Sequence, residues 1–203
     1  LIRTVFLLES DPMSKLSPTA LFAAALTAAA FAAPVMAQQA LVPAQSAVNF
    51  EAKQMGVPIK GHFQKFDAKI AFDTAKPEAS KIHFSVDTGS ATMGVKETDA
   101  ELPKAEWFNV AKFPQATFDS TAVKALGGGK YQVDGNLTIK GNVQKVSLPV
   151  TLTQSGTTTT AAGTLPLKRL TYAIGDGDWK DTSMVADEVQ VQFKLALTGV
   201  GKL

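Results

Sequence analysis

"SAVNFEAKQMGVPIKGHFQKFDAKIAFD", Ser46 to Asp73, carries the pattern that decides the fold. Val48, Phe50 and Ala52 alternate with Asn49, Glu51 and Lys53, the period of a β-strand with one face toward a core. Ile59, Gly61 and Phe63 continue on odd positions, and Phe66, Ala68, Ile70 and Phe72 then take the even ones. A one-residue shift of phase would turn every later side chain to the opposite face. A β-bulge or barrel corner at Gln64 and Lys65 absorbs that shift and keeps both runs facing one interior.

The same period extends outward from this stretch. Ile82, Phe84, Val86 and Thr88 alternate with Lys81, His83, Ser85 and Asp87. A strand covers Ala116 to Val123, and Tyr131, Val133, Gly135, Leu137 and Ile139 form another. A turn at "KGNVQK" leads into Val146, Leu148, Val150 and Leu152. Ala161, Gly163, Leu165 and Leu167 follow, and Val189, Val191, Phe193, Leu195 and Leu197 complete the series. With residues 59–72 as one bent strand, the count is eight, and no long helical periodicity interrupts them. Such a set suits a sandwich or a closed antiparallel barrel; the long strands and the bulge favour closure, which also removes exposed edges. A barrel of this size is either filled by side chains or encloses one slender ligand. "GGGK" at Gly127 to Lys130 lacks P-loop spacing and reads as a hairpin turn. "GTTTTAAG" reads as a polar, flexible connection entering a strand.

Residues 13–37 read as a secretory leader. "MSK" from Met13 is a basic start, "LSPTALFAAALTAAAFAA" an apolar run, and "VMA" a small-x-small site that predicts cleavage after Ala37. Residues 1–12 are then an upstream extension, and 38–203 form one secreted β-barrel domain. The chain has no cysteine, so thiolate metal sites, disulfide exchange and a cysteine nucleophile are excluded. A net charge of +2 gives no case for nucleic acid. Arg169 is the one arginine after the leader, so bidentate phosphate clamps are scarce.

Residues 96–112 interrupt the strands. "TDAE", Thr98 to Glu101, matches a capping box, and Pro103 suits the start of a further turn, which predicts a short helical lid. "WFNVAKFPQATFDST", Trp107 to Thr121, follows it and packs four aromatic rings beside Pro114. His62 and His83 fall on the polar phase with no acidic or serine motif beside them, so no catalytic residue or metal ligand is assigned. "DGDWKD", Asp176 to Asp181, resembles a calcium loop but places Lys180 where an oxygen ligand belongs and lacks the glycine.

Four segments in order carry a resemblance: the opening stretch, "WFNVAKFPQATFDST", "VDGNLTIKGNVQKVSLPVTL" from Val133 to Leu152, and "RLTYAIGDGDWKDTSMVADEVQVQF" from Arg169 to Phe193. Together they closely resemble the YceI-like family of secreted polyisoprenoid-binding proteins over residues 46–198. The resemblance implies an eight-stranded antiparallel lipocalin-like barrel with a short helical lid insertion. It also implies a soluble periplasmic protein with no catalytic activity and no cofactor beyond the lipid, holding an isoprenoid tail of quinone or prenyl-phosphate type. The apolar lining would come from Phe50, Phe63, Phe66, Ile70, Phe72 and Phe84 on the first strands, and from Trp107, Phe108, Phe113 and Phe118 around the lid. Tyr131, Leu137, Ile139, Leu148, Tyr172, Ile174 and Phe193 would complete it. Expected partners are the lipid and, transiently, a membrane or a membrane quinone-handling protein; the chain itself would be a monomer or homodimer. The alternative is a non-enzymatic redox or stress accessory that docks on a membrane quinone-handling cytochrome. The chain departs from the family pattern at Thr98, where a basic residue is frequent, at Gln144 and Lys145 after the turn, at Asn109, and at Ala173, where glycine is common.

Overall fold

The computed structural model describes residues 39–203, so the extension over 1–12 and the leader over 13–37 lie outside the described residues. Within them the alternating segments form one antiparallel sheet of eleven strands. β1 (Ala40–Leu41) and β2 (Ala47–Gln54) precede β3 (Val57–Phe63) and β4 (Phe66–Ala71). β5 (Lys81–Asp87) and β6 (Ala91–Thr92) lead to α1 (Lys96–Asp99), the single α-helix among the described residues. β7 (Gln115–Gly127), β8 (Lys130–Ile139), β9 (Asn142–Ser155), β10 (Thr158–Lys168) and β11 (Glu188–Thr198) follow.

Hydrogen bonding runs in the order β4-β5-β7-β8-β9-β10-β11-β2-β3-β6, with β1 added on β11. The sequence reading expected eight strands; one of the three extra strands is the short β1 on β11, and the other two arise at the corner. The 59–72 run divides at Gln64 and Lys65 into β3 and β4, which pair with different neighbours. The chain after β5 likewise turns through Thr88–Ser90 before pairing with β3 as β6. Thr88 therefore leaves the strand and is buried, its Oγ1 donating to the Phe113 carbonyl at 2.8 Å. Because β3 and β4 are joined through two residues, the two ends of the sheet order meet at this bend and the sheet curls around its interior. The bend's backbone is satisfied: Gln64 N donates to Ser90 O at 3.1 Å, and Asp87 N donates to Lys65 O at 3.0 Å.

Two turns differ from expectation. Lys140 and Gly141, both at positive φ, make the whole β8–β9 turn, so Asn142 to Lys145 belong to β9. The threonine run expected to be a flexible connection is the start of β10, with Thr159 fully buried. Threonine is β-branched and suits a pleated strand, and Gln154 Nε2 donates to the Thr159 hydroxyl at 3.2 Å. The turn at Gly128 and Gly129 forms as expected.

Candidate functional site

The curled sheet encloses a cavity of about 580 Å3, within the range of small-molecule sites. Its wall is built from the inward phase of the strands. Three strand glycines explain why the rings there do not fill it. A Cβ at Gly61 would collide with the Phe50 ring, one at Gly135 would lie 2.5 Å from the Phe118 ring, and one at Gly163 would lie 2.5 Å from the Phe193 ring. The outer edge of each phenylalanine ring occupies the space a Cβ would take on the strand beside it, and the centre stays open.

Most of the residues expected to line a cavity are in this wall. Phe50, Phe63, Ile70, Phe72 and Phe84 come from β2 to β5, and Trp107, Phe108 and Phe118 from the aromatic segment. Tyr131, Leu137, Ile139, Leu148, Ile174 and Phe193 complete the expected members. Three residues fall outside it. Phe66, the first residue after the bend, packs on Phe84 with centroids 6.0 Å apart and faces the corner beside Pro43 and Ser46. Phe113 follows the turn at Asn109 and lies over Gly141, outside the barrel interior. Tyr172, 2% exposed, packs behind the wall with Ile139 and Ile174. Burial raises its phenol above the ordinary pKa.

Sequence reasoning picked the rings and five aliphatics, Ile70, Leu137, Ile139, Leu148 and Ile174, and passed over other aliphatic neighbours on the same phase. Val48, Val133, Val150, Leu165, Val191 and Leu195 are equally part of the wall. Their inward alternation was the available signal. The polar members carried none. Gln54, Glu97, Thr98 and Glu101 gather at one end beside Met93, and Glu97 is the one exposed wall residue among those described. The cavity therefore reaches solvent beside α1.

The insertion at this end differs from the expected helical lid. α1 is a single turn whose N-cap is Val95, without a side-chain cap, so Thr98 sits inside the helix and the capping box does not form. Asp99 reaches back instead, accepting from Met93 N and from Thr92 Oγ1, each at 2.6 Å. The backbone bond and then the hydroxyl bond hold its carboxyl below the ordinary value. Hydrogen-bonded turns carry the chain on through Pro103 to Trp107 and Phe108. Phe108 packs edge-on to Phe63, and Trp107 lies against Trp179 with centroids 5.4 Å apart. The Trp107 Nε1–H is buried without a hydrogen-bond partner among the described residues.

Arg169 ties the second loop of this end, and nothing in the sequence pattern announced it. It is 2% exposed and all five guanidinium N–H groups meet main-chain carbonyls. Nε donates to Ala186 at 3.1 Å, Nη1 to Ile174 and Gly175 at 2.9 Å each, and Nη2 to Trp179 at 2.6 Å and Val185 at 2.7 Å. Burial lowers its pKa, and the charge of Asp187 opposes that shift. Gly175, at φ +73°, has no room for a Cβ because the guanidinium occupies the space. The two loops are joined where Gly175 N and Asp176 N both donate to the Glu106 carbonyl, at 2.8 and 2.9 Å. Lys140 Nζ adds a bond to the Ala173 carbonyl at 2.6 Å.

Several other titratable groups are occupied locally. His83 Nδ1 lies 2.7 Å from Asp119 Oδ1 across β5 and β7 on the outer face, a partner the sequence reading did not assign. Asp176 pairs with Lys180 at 2.8 Å, and Asp181 accepts from the Ser183 hydroxyl and backbone. Among the described residues no three His, Asp or Glu side chains are grouped to hold a metal ion.

An antiparallel sheet curled around an open apolar cavity, with one polar mouth, defines a hydrophobic-ligand barrel. Residues 40–197 match the YceI-like domain model, and the chain belongs to that family. It is 40% identical over 110 residues to Protein YceI of Salmonella arizonae, covering 54% of this chain and 57% of that one. It is also 40% identical over 100 residues to a UPF0312 protein of Azotobacter vinelandii, covering 49% of this chain and 52% of that one. The matches thus span about half the length of these relatives. Burkholderia cenocepacia BcnA has a similar structure, with 44% identity, a TM-score of 0.75, and coverage of 77% of this chain and 98% of that one. A polyisoprenoid binding domain from Saccharophagus degradans shares the fold at 17% identity and TM-score 0.64, covering 79% of this chain and 98% of that one.

Proposed function

We propose that this chain is a carrier that holds an isoprenoid lipid, of quinone or prenyl-phosphate type, in its central cavity. The observation that carries the reading is the continuous apolar wall around open space, kept open by the glycine-backed rings of Phe50, Phe118 and Phe193. The binding described for the Saccharophagus degradans domain supports the same ligand class. Export to the periplasm, with cleavage after Ala37, belongs to the proposal and rests on the leader pattern. The protein acts as a binder, with no catalysis and no cofactor beyond the lipid.

The energetics favour exchange with a bilayer. Burying a methylene contributes about 0.8 kcal/mol, so one five-carbon isoprene unit contributes on the order of 4 kcal/mol. A few such units approach the roughly 20 kcal/mol ceiling of non-covalent affinity. Such a chain has almost no free concentration in water, and the barrel need only match the bilayer as a solvent for it. Mass spectrometry of organic extracts from the native protein tests the reading, and an isoprenoid in stoichiometric amount is the expected result. Repeated isolation without lipid, together with a co-purifying membrane cytochrome, would instead establish the accessory role. Trp107→Ala is expected to cut lipid retention by on the order of tenfold while costing at most about 2 kcal/mol of stability, because the ring borders open space. A large stability loss with unchanged retention would make that ring core and nothing more.

A further inference from the structure

The ionisable side chains that line the mouth itself are carboxylates. Glu97 and Glu101 line the cavity there, and among the described residues Arg169 is the only basic side chain in the wall. Every N–H of Arg169 is already given to a backbone carbonyl, so it has no donor left for a ligand. Lys104 Nζ lies 2.6 Å from Glu101 Oε1, which meets its charge, and Lys96, exposed on α1, is not part of the wall. Asp99, just behind, is a further carboxylate held by Thr92 and Met93. A phosphate needs free cationic donors, best supplied by an arginine fork or a lysine. At this mouth it would meet the Glu97 carboxylate and find no free guanidinium. Uncharged polar groups are present instead. Gln54 and Thr98 line the same end, and neither side chain makes a hydrogen bond among the described residues.

We propose that the mouth beside α1 selects uncharged head groups and rejects phosphorylated ones, with Glu97 as the specificity-determining residue. The inference rests on the cavity being an isoprenoid site and narrows its ligand to chains ending in a hydroxyl or carbonyl. Gln54 and Thr98 offer neutral hydrogen bonds to such an end, and Glu97 sets the repulsion felt by an anionic one.

The test uses geranylgeraniol and geranylgeranyl phosphate, two ligands with the same chain, titrated into the purified, delipidated protein. The alcohol is expected to bind tighter by at least about tenfold at low ionic strength, and added salt should narrow the gap by screening the carboxylate. Glu97→Gln should shrink the preference, and Glu97→Lys should bring the phosphate to parity or better. Equal or tighter binding of the phosphate to the wild-type chain would overturn the selectivity and leave the lipid site standing. The same holds if the preference survives Glu97→Gln in full. Binding of neither ligand would overturn the lipid site and the selectivity together. If Glu97→Lys fails to fold, the Gln variant and the salt series still decide the matter.

Discussion

The two ends of the barrel solve the same problem, turning strands around, with different residues. At the end remote from α1, the left-handed positions belong to glycine: Gly127, Gly128 and Gly129 between β7 and β8, Gly156 between β9 and β10, and Gly199 after β11. At the α1 end glycine again fills left-handed positions, at Gly56, Gly94, Gly141, Gly175 and Gly177, but four more hold side chains: Met55, Asn109, Lys140 and Ala173, with φ between 49° and 54°. A left-handed residue with a Cβ costs about 1–2 kcal/mol relative to the right-handed form. Strain is thus concentrated at the end where the wall turns polar and the cavity meets solvent. The glycine end is a set of relaxed closures, and the α1 end is held in shape against its own backbone preferences.

That contrast can be broken most severely at Arg169. Arg169→Met strips the hydrogen bonds from five carbonyls and should destabilise the protein by about 3–5 kcal/mol. Chemical denaturation measures the loss; a change below about 1 kcal/mol would mean that the loops hold themselves. At the other end, Gln39 clamps β4 by donating to Phe72 O at 2.6 Å and accepting from Phe72 N at 2.8 Å. Gln39→Ala should cost about 1–2 kcal/mol, and amide exchange should quicken at Phe72 without reaching α1.

Ala173→Gly sharpens the comparison in the opposite direction. Relieving the left-handed alanine should raise stability by about 1 kcal/mol, seen as an upward shift in Tm. No gain would show that the surrounding bonds impose no strain there. The smallest effect concerns Asp99. Its folded pKa lies below the ordinary 3.8, so its contribution is fully present above that value and is lost as pH falls through the lowered one. Acid titration followed by amide exchange should therefore loosen residues 93–100 at low pH, and Asp99→Asn should remove that pH dependence.

The barrel was legible because alternation is a direct consequence of strand geometry, and it placed Phe50, Phe84, Leu137 and Phe193 on one interior. The split of the bent strand was legible as a change of phase, but its effect on pairing was not, since which neighbour each half takes depends on the whole sheet. Thr98 and Glu101 satisfied the capping pattern without forming it, because Asp99 found nearer partners at Thr92 and Met93 and the helix started earlier. Arg169 was invisible for a different reason. Its partners are carbonyls, which every residue carries, so no spacing of residue types could reveal them. The mouth glutamates were hidden among ordinary helix-surface residues.

The carbonyls around Arg169 come from residues 174, 175, 179, 185 and 186, so one guanidinium binds most of a loop at once. Such a loop has little freedom to fray one residue at a time, because releasing any carbonyl leaves a buried N–H uncompensated. It opens as a unit or stays shut, which sets a discrete rate for exposing Ile174, Trp179 and Val185, all of which line the cavity. Exposure of that part of the wall is then a single cooperative event rather than gradual fraying, and amide exchange should show one shared opening across residues 174–186.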